Sequence, residues 1–249
     1  ESAMTQPTAP TPVASAEPPG VFEDFVDIFV SPAQVFARRA KEGGTAAFFI
    51  VAIALSAILY SGKSVMEPIM DAQFAKSMDA AQKANPKLTS DQLESMRKFS
   101  KSFGTVAMVV GAPIALLVVG VLVWVVGKPM GAQVTFGSSI MIASYSYIPR
   151  VLGGVVTDVQ GLLMNDTSTL TNPSQLSIGP ARFFDPNATG AVLLTMLTRL
   201  DLVTIWVTIL LGVGLYSAGK LSKEKAITAG VVMWVLGTLL PLWGAIRQG

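Results

Sequence analysis

The sequence predicts an all-α polytopic membrane protein, a bundle of five transmembrane helices with an N-terminal amphipathic interfacial segment. Three observations carry that reading. Hydrophobic residues make up 51% of the chain and charged ones only 14%, against roughly 25% charged in a soluble domain. Mean hydropathy is +0.55. Several apolar runs approach or pass the ~20 residues that cross ~30 Å of hydrocarbon. In lipid, a helix satisfies its backbone polar groups internally.

The elements follow in order. Residues 1–20 hold five prolines and almost no large apolar side chain, so they read as a disordered tail. They lack the positive start and apolar core of a signal peptide.

Residues 21–43, "VFEDFVDIFVSPAQVFARRAKEG", form the amphipathic interfacial segment. Phe22, Phe25, Val26 and Phe29 share a helical face, with Glu23, Asp24 and Asp27 opposite. Ser31 and Pro32 suit the cap and first position of a second helical piece carrying Val35 and Phe36. The acidic face argues against attraction to anionic lipid, so this half is expected to dock on the protein's own helices. Arg38, Arg39 and Lys41 are expected to meet headgroups.

Residues 44–249 make the membrane domain, with spans at about 45–62, 103–126, 134–157, 190–217 and 226–245. The long stretch between the first two spans needs structure of its own. Met66, Ile69, Met70, Phe74, Met78 and Ala81 share a helical face, which is expected to pack within the protein, and Asn85-Pro86 ends that helix. Thr89 and Gln92 form a capping box, with Leu88 and Leu93 placed as a hydrophobic staple. This second helix is expected to run straight into span two. The stretch 158–189 carries Asn-Pro, Gly-Pro and Asp-Pro, and reads as irregular structure capping one membrane face. It includes two glycosylation-type patterns, at Asn165 and Asn187.

Glycines recur at intervals of seven in spans two and five and cluster in span four, which suits close helix packing. The third span is the most polar, with Ser138, Ser139, Ser144, Tyr145, Ser146 and Tyr147 ahead of Pro149 and Arg150. Pro149 should kink it. Arg150 could snorkel to the interface or pair with a carboxylate.

The fourth span carries Arg199 and Asp201, two residues apart, where they do not face each other on a helix. Three readings stand side by side. Asp201 could cap a second helix, with Arg199 closing a short first one at its negative end. It could pair with Arg150, or it could be a proton or ion site. Tyr147, Pro149, Arg150, Arg199 and Asp201 are therefore the candidate intramembrane residues.

The chain contains no cysteine and no histidine. That excludes disulfides, thiol nucleophiles, Cys/His zinc sites and Ser-His-Asp triads. No catalytic residue, cofactor or metal is expected. A net charge of +2 is too small to suggest nucleic acid as a partner. Basic residues near span ends place the N-terminus in the cytoplasm and the C-terminus opposite.

"VGKPMGAQVTFGSSIMIASYSYIPRVLGG", followed by "LDLVTIWVTILLGVGLYSAGKLSKEKA", resembles the bacterial branch of the Yip family. The likeness covers roughly residues 21–245 and includes "FVDIFVSPAQVFARR". The resemblance implies five spans, a cytoplasmic N-terminus and no catalytic chemistry, in the cytoplasmic membrane of a bacterium. Eukaryotic relatives bind Rab-type GTPases, but their Asp-Leu-Tyr-Gly-Pro stretch is missing here, and no functional residue is carried over. The expected function is a non-enzymatic scaffold or adaptor with membrane-protein partners or further copies of itself. The alternative is a small transporter or channel with a polar path near Arg150, Arg199 and Asp201.

Overall fold

The computed structural model of the protein describes residues 20–41, 44–164, 167 and 169–247. The expected tail, apart from Gly20, and the pattern at Asn165 lie outside the described residues. Among the described residues ten α-helices run in order: α1 (Val21–Val30), α2 (Pro32–Arg39), α3 (Thr45–Ser61), α4 (Lys63–Ala84), α5 (Ser90–Gly127), α6 (Phe136–Ser146), α7 (Ile148–Leu163), α8 (Ala191–Arg199), α9 (Leu202–Ser217) and α10 (Lys223–Ile246). No strand occurs among the described residues. The protein is all-α and polytopic.

Three stretches are long and apolar enough to cross a membrane as they stand: α5, α6 with α7, and α10. Two bent pairs bring the number to five when each counts as one span. These are α3 with α4, bent by 71°, and α8 with α9, bent by 54°. The helix α3 holds 17 residues, about 25 Å at 1.5 Å per residue. Gly62 ends it, with its amide bonded to the Ile58 carbonyl at 3.0 Å, and the chain turns into the polar α4.

α5 starts at the expected box. Thr89 Oγ1 accepts from the Gln92 amide at 3.4 Å and Gln92 Oε1 from the Thr89 amide at 3.0 Å. It then runs unbroken for 38 residues through Pro113, about 57 Å, nearly twice a hydrocarbon core. Its polar first third lies beside α4. Lys101 reaches Glu67 and Asp71, and Arg97 reaches Asp71. A Cβ on Gly104 would stand 2.6 Å from Met70 Cε, so Met70 of the methionine stripe packs against α5.

The polar third span is the innermost element. Ser138 to Ser146 are all buried, and α6 touches α1, α2, α3, α5 and α9. Serines are tolerable here because they face protein rather than lipid. Ser139 and Ser144 also return their hydroxyls to carbonyls four residues back, at 2.9 and 2.8 Å. The helix breaks at Tyr147 and resumes with Pro149 in its first turn. It continues to Leu163, six residues past the expected end, with Asp158 held by the Ser61 hydroxyl at 2.9 Å. Helix α10 runs through Pro241 to reach Ile246, since a membrane helix tolerates proline.

Glycines set the closest helix contacts. A Cβ on Gly212 would lie 3.1 Å from the Ala226 carbonyl, and one on Gly230 would lie 3.3 Å from that of Thr208, so α9 and α10 approach backbone to backbone. A Cβ on Gly214 would stand 2.5 Å from Ile142 Cγ2. At one end of the bundle the connections join. Gln133 donates its amide to the Gly219 carbonyl at 2.8 Å, and Lys225 Nζ reaches the Met130 carbonyl at 3.0 Å.

Candidate functional site

Two polar clusters lie within this frame, and the sequence reading anticipated only one of them. The first is the pairing of α1 and α2 onto α6. Ser31 breaks the chain between the two helices, with Asp24 and Arg38 each seven residues, or two turns, away from it. Folding at Ser31 therefore brings them level. Arg38 Nε donates to Asp24 Oδ1 at 2.7 Å, and its Nη2 meets both Asp24 and Asp27. Arg39 Nε donates to Asp24 Oδ2 at 2.6 Å. From α6, the Tyr145 hydroxyl donates to the same Oδ2 at 2.7 Å.

Asp24 is 0% exposed. A buried carboxylate is tolerable only when paired and hydrogen-bonded, and this one accepts from three side chains. Burial works against the Arg38 charge, but its hydrogen bonds to Asp27 and Asp24, and their negative charges, hold the guanidinium above its ordinary value. Phe25 and Phe36 close over the Tyr145 ring edge-to-face, with centroids 6.3 and 6.4 Å away. Ile28, Val35 and Phe36 fill the space beneath.

This arrangement corrects the expected use of Arg38 and Arg39. Docking runs through Asp24 and Ile28, while Phe22, Val26 and Val30 are left exposed on the other side. Arg38 and Arg39 turn inward onto Asp24 instead of outward to headgroups. The physical reason is that two guanidiniums and a phenol compensate the buried carboxylate, an arrangement apolar periodicity does not encode.

The second cluster is the break between α8 and α9. Asp201 is the N-cap of α9, its Oδ1 accepting from the Val203 amide at 2.9 Å. Oδ2 accepts from the Ser177 hydroxyl at 3.0 Å and the Ile178 amide at 2.8 Å. The carboxylate thus ties the preceding loop to the helix start. Gly179 permits that approach, because a Cβ there would lie 2.8 Å from Asp201 Cα. Arg199 closes α8 and turns the other way, donating from Nε to Thr238 Oγ1 on α10 at 3.0 Å. Its carbonyl accepts from the Trp234 indole at 3.2 Å.

Tyr147, Arg150 and Asp201 come together on one cavity of about 590 Å³, bounded by α3, α5, α7, α9 and the loop at residues 173–178. Pro149 and Arg199 do not line it. The pairing of Asp201 with Arg150 is not formed among the described residues. Asp201 is already served by three donors, and Arg150 Nε is buried with no hydrogen-bond partner. The Arg150 guanidinium lies 5.2 Å from the Tyr147 ring centroid, and 13 residues of α7 follow it, about 20 Å of helix. Among the described residues no group of three His, Cys, Asp or Glu side chains is placed to hold a metal ion.

Comparison with known proteins gives a consistent assignment. A family model described as the Yip1 domain matches residues 26–244. The chain is 20% identical over 159 residues to the membrane protein YknW of Bacillus subtilis (strain 168), an alignment covering 64% of this chain and 65% of that relative. The chain thus spans just under two thirds of that protein. No solved structure matches.

Proposed function

The chain belongs to the Yip1 domain family, and from that premise we propose that this membrane protein is a non-enzymatic scaffold or adaptor. Its place is the bacterial cytoplasmic (inner) membrane, with the N-terminus cytoplasmic and the C-terminus on the opposite side. Its partners are other membrane proteins or further copies of itself. The lipid bilayer is the third contact, through the outward apolar faces of the spans and of α1.

The observation that carries this reading is the hairpin of α4 with the first third of α5. It is pinned by Lys101 to Glu67 and Asp71, and it leaves Met96 and Phe99 exposed ahead of span two, Phe99 by 72%. A large exposed aromatic side chain on a braced hairpin suits a protein partner. A photo-crosslinking residue placed at Phe99 in native membranes tests this. A discrete adduct with another polypeptide is expected, and monomer alone, at Phe99 and equally at Met96, would count against the scaffold.

Transport is the second reading, because Arg150 and Asp201 share a cavity. Arg199 is turned onto Thr238 instead, and Asp201 is committed to the loop and the helix start, which weakens a continuous path. Flux of protons, ions or small metabolites in proteoliposomes, abolished by Asp201→Asn, would favour transport over the scaffold.

A further inference from the structure

We propose that the cavity between α3, α5, α7 and the α8–α9 break binds the phosphate group of a membrane phospholipid, with Arg150 as its cationic contact. The starting point is an imbalance. The Arg150 side chain makes no hydrogen bond or ion pair among the described residues; its guanidinium faces the Tyr147 ring at 5.2 Å, and its Nε is buried without an acceptor. An unpaired charge at membrane depth is costly and commonly marks a ligand or a partner. Arg199 does not relieve it. Among the described residues its guanidinium bonds only the neutral Thr238 hydroxyl, and the two arginines repel each other.

A second unpartnered group lines the same cavity. Ser174 is 2% exposed and its Oγ has no hydrogen-bond partner. Buried polar atoms are almost always satisfied in native structures. A guanidinium, a hydroxyl and the nearby Tyr147 suit an oxyanion, since arginine pairs with phosphate through charge-assisted bonds.

Two carboxylates also line the cavity, and both are engaged. Asp201 accepts from Ser177, Ile178 and Val203. Asp158 accepts from Ser61 at 2.9 Å and stands eight residues along α7 from Arg150, about 12 Å. Arg150 is the cation among the residues that line the cavity. The wall from α3 and α5 is apolar, with Leu55, Ile58, Leu59 and Ala115. A free phosphate ion would have no use for that wall, whereas an acyl chain would lie against it. Basic pockets between membrane helices hold lipid headgroups on the same principle.

Native mass spectrometry of the full chain in mild detergent tests the site with three probes: phosphatidylglycerol, diacylglycerol with the same chains, and inorganic phosphate. Phosphatidylglycerol should bind about ten- to a hundredfold more tightly than diacylglycerol, the worth of a charge-assisted contact. Arg150→Gln should lose a similar factor, and Ser174→Ala a smaller one. Equal binding of diacylglycerol, or an unchanged Arg150→Gln, would overturn the headgroup site. Inorganic phosphate binding as tightly as the lipid would overturn the lipid as its source. Should Arg150→Gln fail to fold, the ranking of the three probes on the wild-type chain decides alone.

Discussion

The Tyr145 hydroxyl donates to Asp24 across 2.7 Å, joining the innermost membrane helix to the first helix of the chain 121 residues earlier. Arg38 and Arg39 complete the shell of the same carboxylate. The N-terminal helix pair is thus fastened into the bundle by a charge cluster rather than by an apolar face alone.

Asp24→Ala should destabilise the protein by about 3–5 kcal/mol, because it removes the buried carboxylate that Arg38, Arg39 and Tyr145 share. Denaturation of the purified protein in mixed detergent micelles reads this directly. A loss below about 1 kcal/mol, the range of surface ion pairs, would mean that the cluster is solvated in the native protein.

Asp201→Ala should cost about 1–2 kcal/mol through the lost cap. It should also speed protease cleavage within residues 170–190, since Ser177 and Ile178 lose their anchor. Asp201→Asn should fall between the wild type and Asp201→Ala, because its one oxygen can still cap the helix while its amide nitrogen cannot accept from the Ile178 amide. A strong defect in Asp201→Asn with normal stability would instead point to a titrating carboxylate.

Gly230→Leu should separate α9 from α10, because even a Cβ there would lie 3.3 Å from the Thr208 carbonyl. The chain contains no cysteine, so a pair introduced at positions 209 and 227 reports the spacing without background. Disulfide formation should fall in the Gly230→Leu variant. An unchanged yield would show that the two helices have room to spare.

Lys101→Glu reverses the charge that meets Glu67 and Asp71 on the hairpin. These groups are exposed, so global stability should move by only about 1 kcal/mol. The crosslinking yield at Phe99 should fall further than stability does, as the hairpin splays. Equal yield at equal expression would separate partner contact from hairpin geometry.

Much of this architecture was written in local residue patterns. The Thr89–Gln92 box, the helix running on through Gly104 into span two, and the break at Asp201 each depend on a few neighbouring residues. Capping and apolar length are enough to read them. The family was equally legible from the order of short motifs. Asp24 was not, because its partners sit 14, 15 and 121 residues away. The equal distance of Asp24 and Arg38 from Ser31 was the available signal. The surroundings of Arg150 were not legible for a related reason. Its nearest sequence carboxylate, Asp158, is held by Ser61, and Asp201 is taken by its own helix and loop.

The central claim, that charges inside this domain fasten the fold, is tested most directly by a double-mutant cycle between Asp24 and Tyr145. Unfolding free energies would be compared for Asp24→Asn, Tyr145→Phe and the combination. The account predicts a coupling of about 1–3 kcal/mol, the worth of a hydrogen bond to a charged group. Additive effects, with coupling indistinguishable from zero, would contradict it.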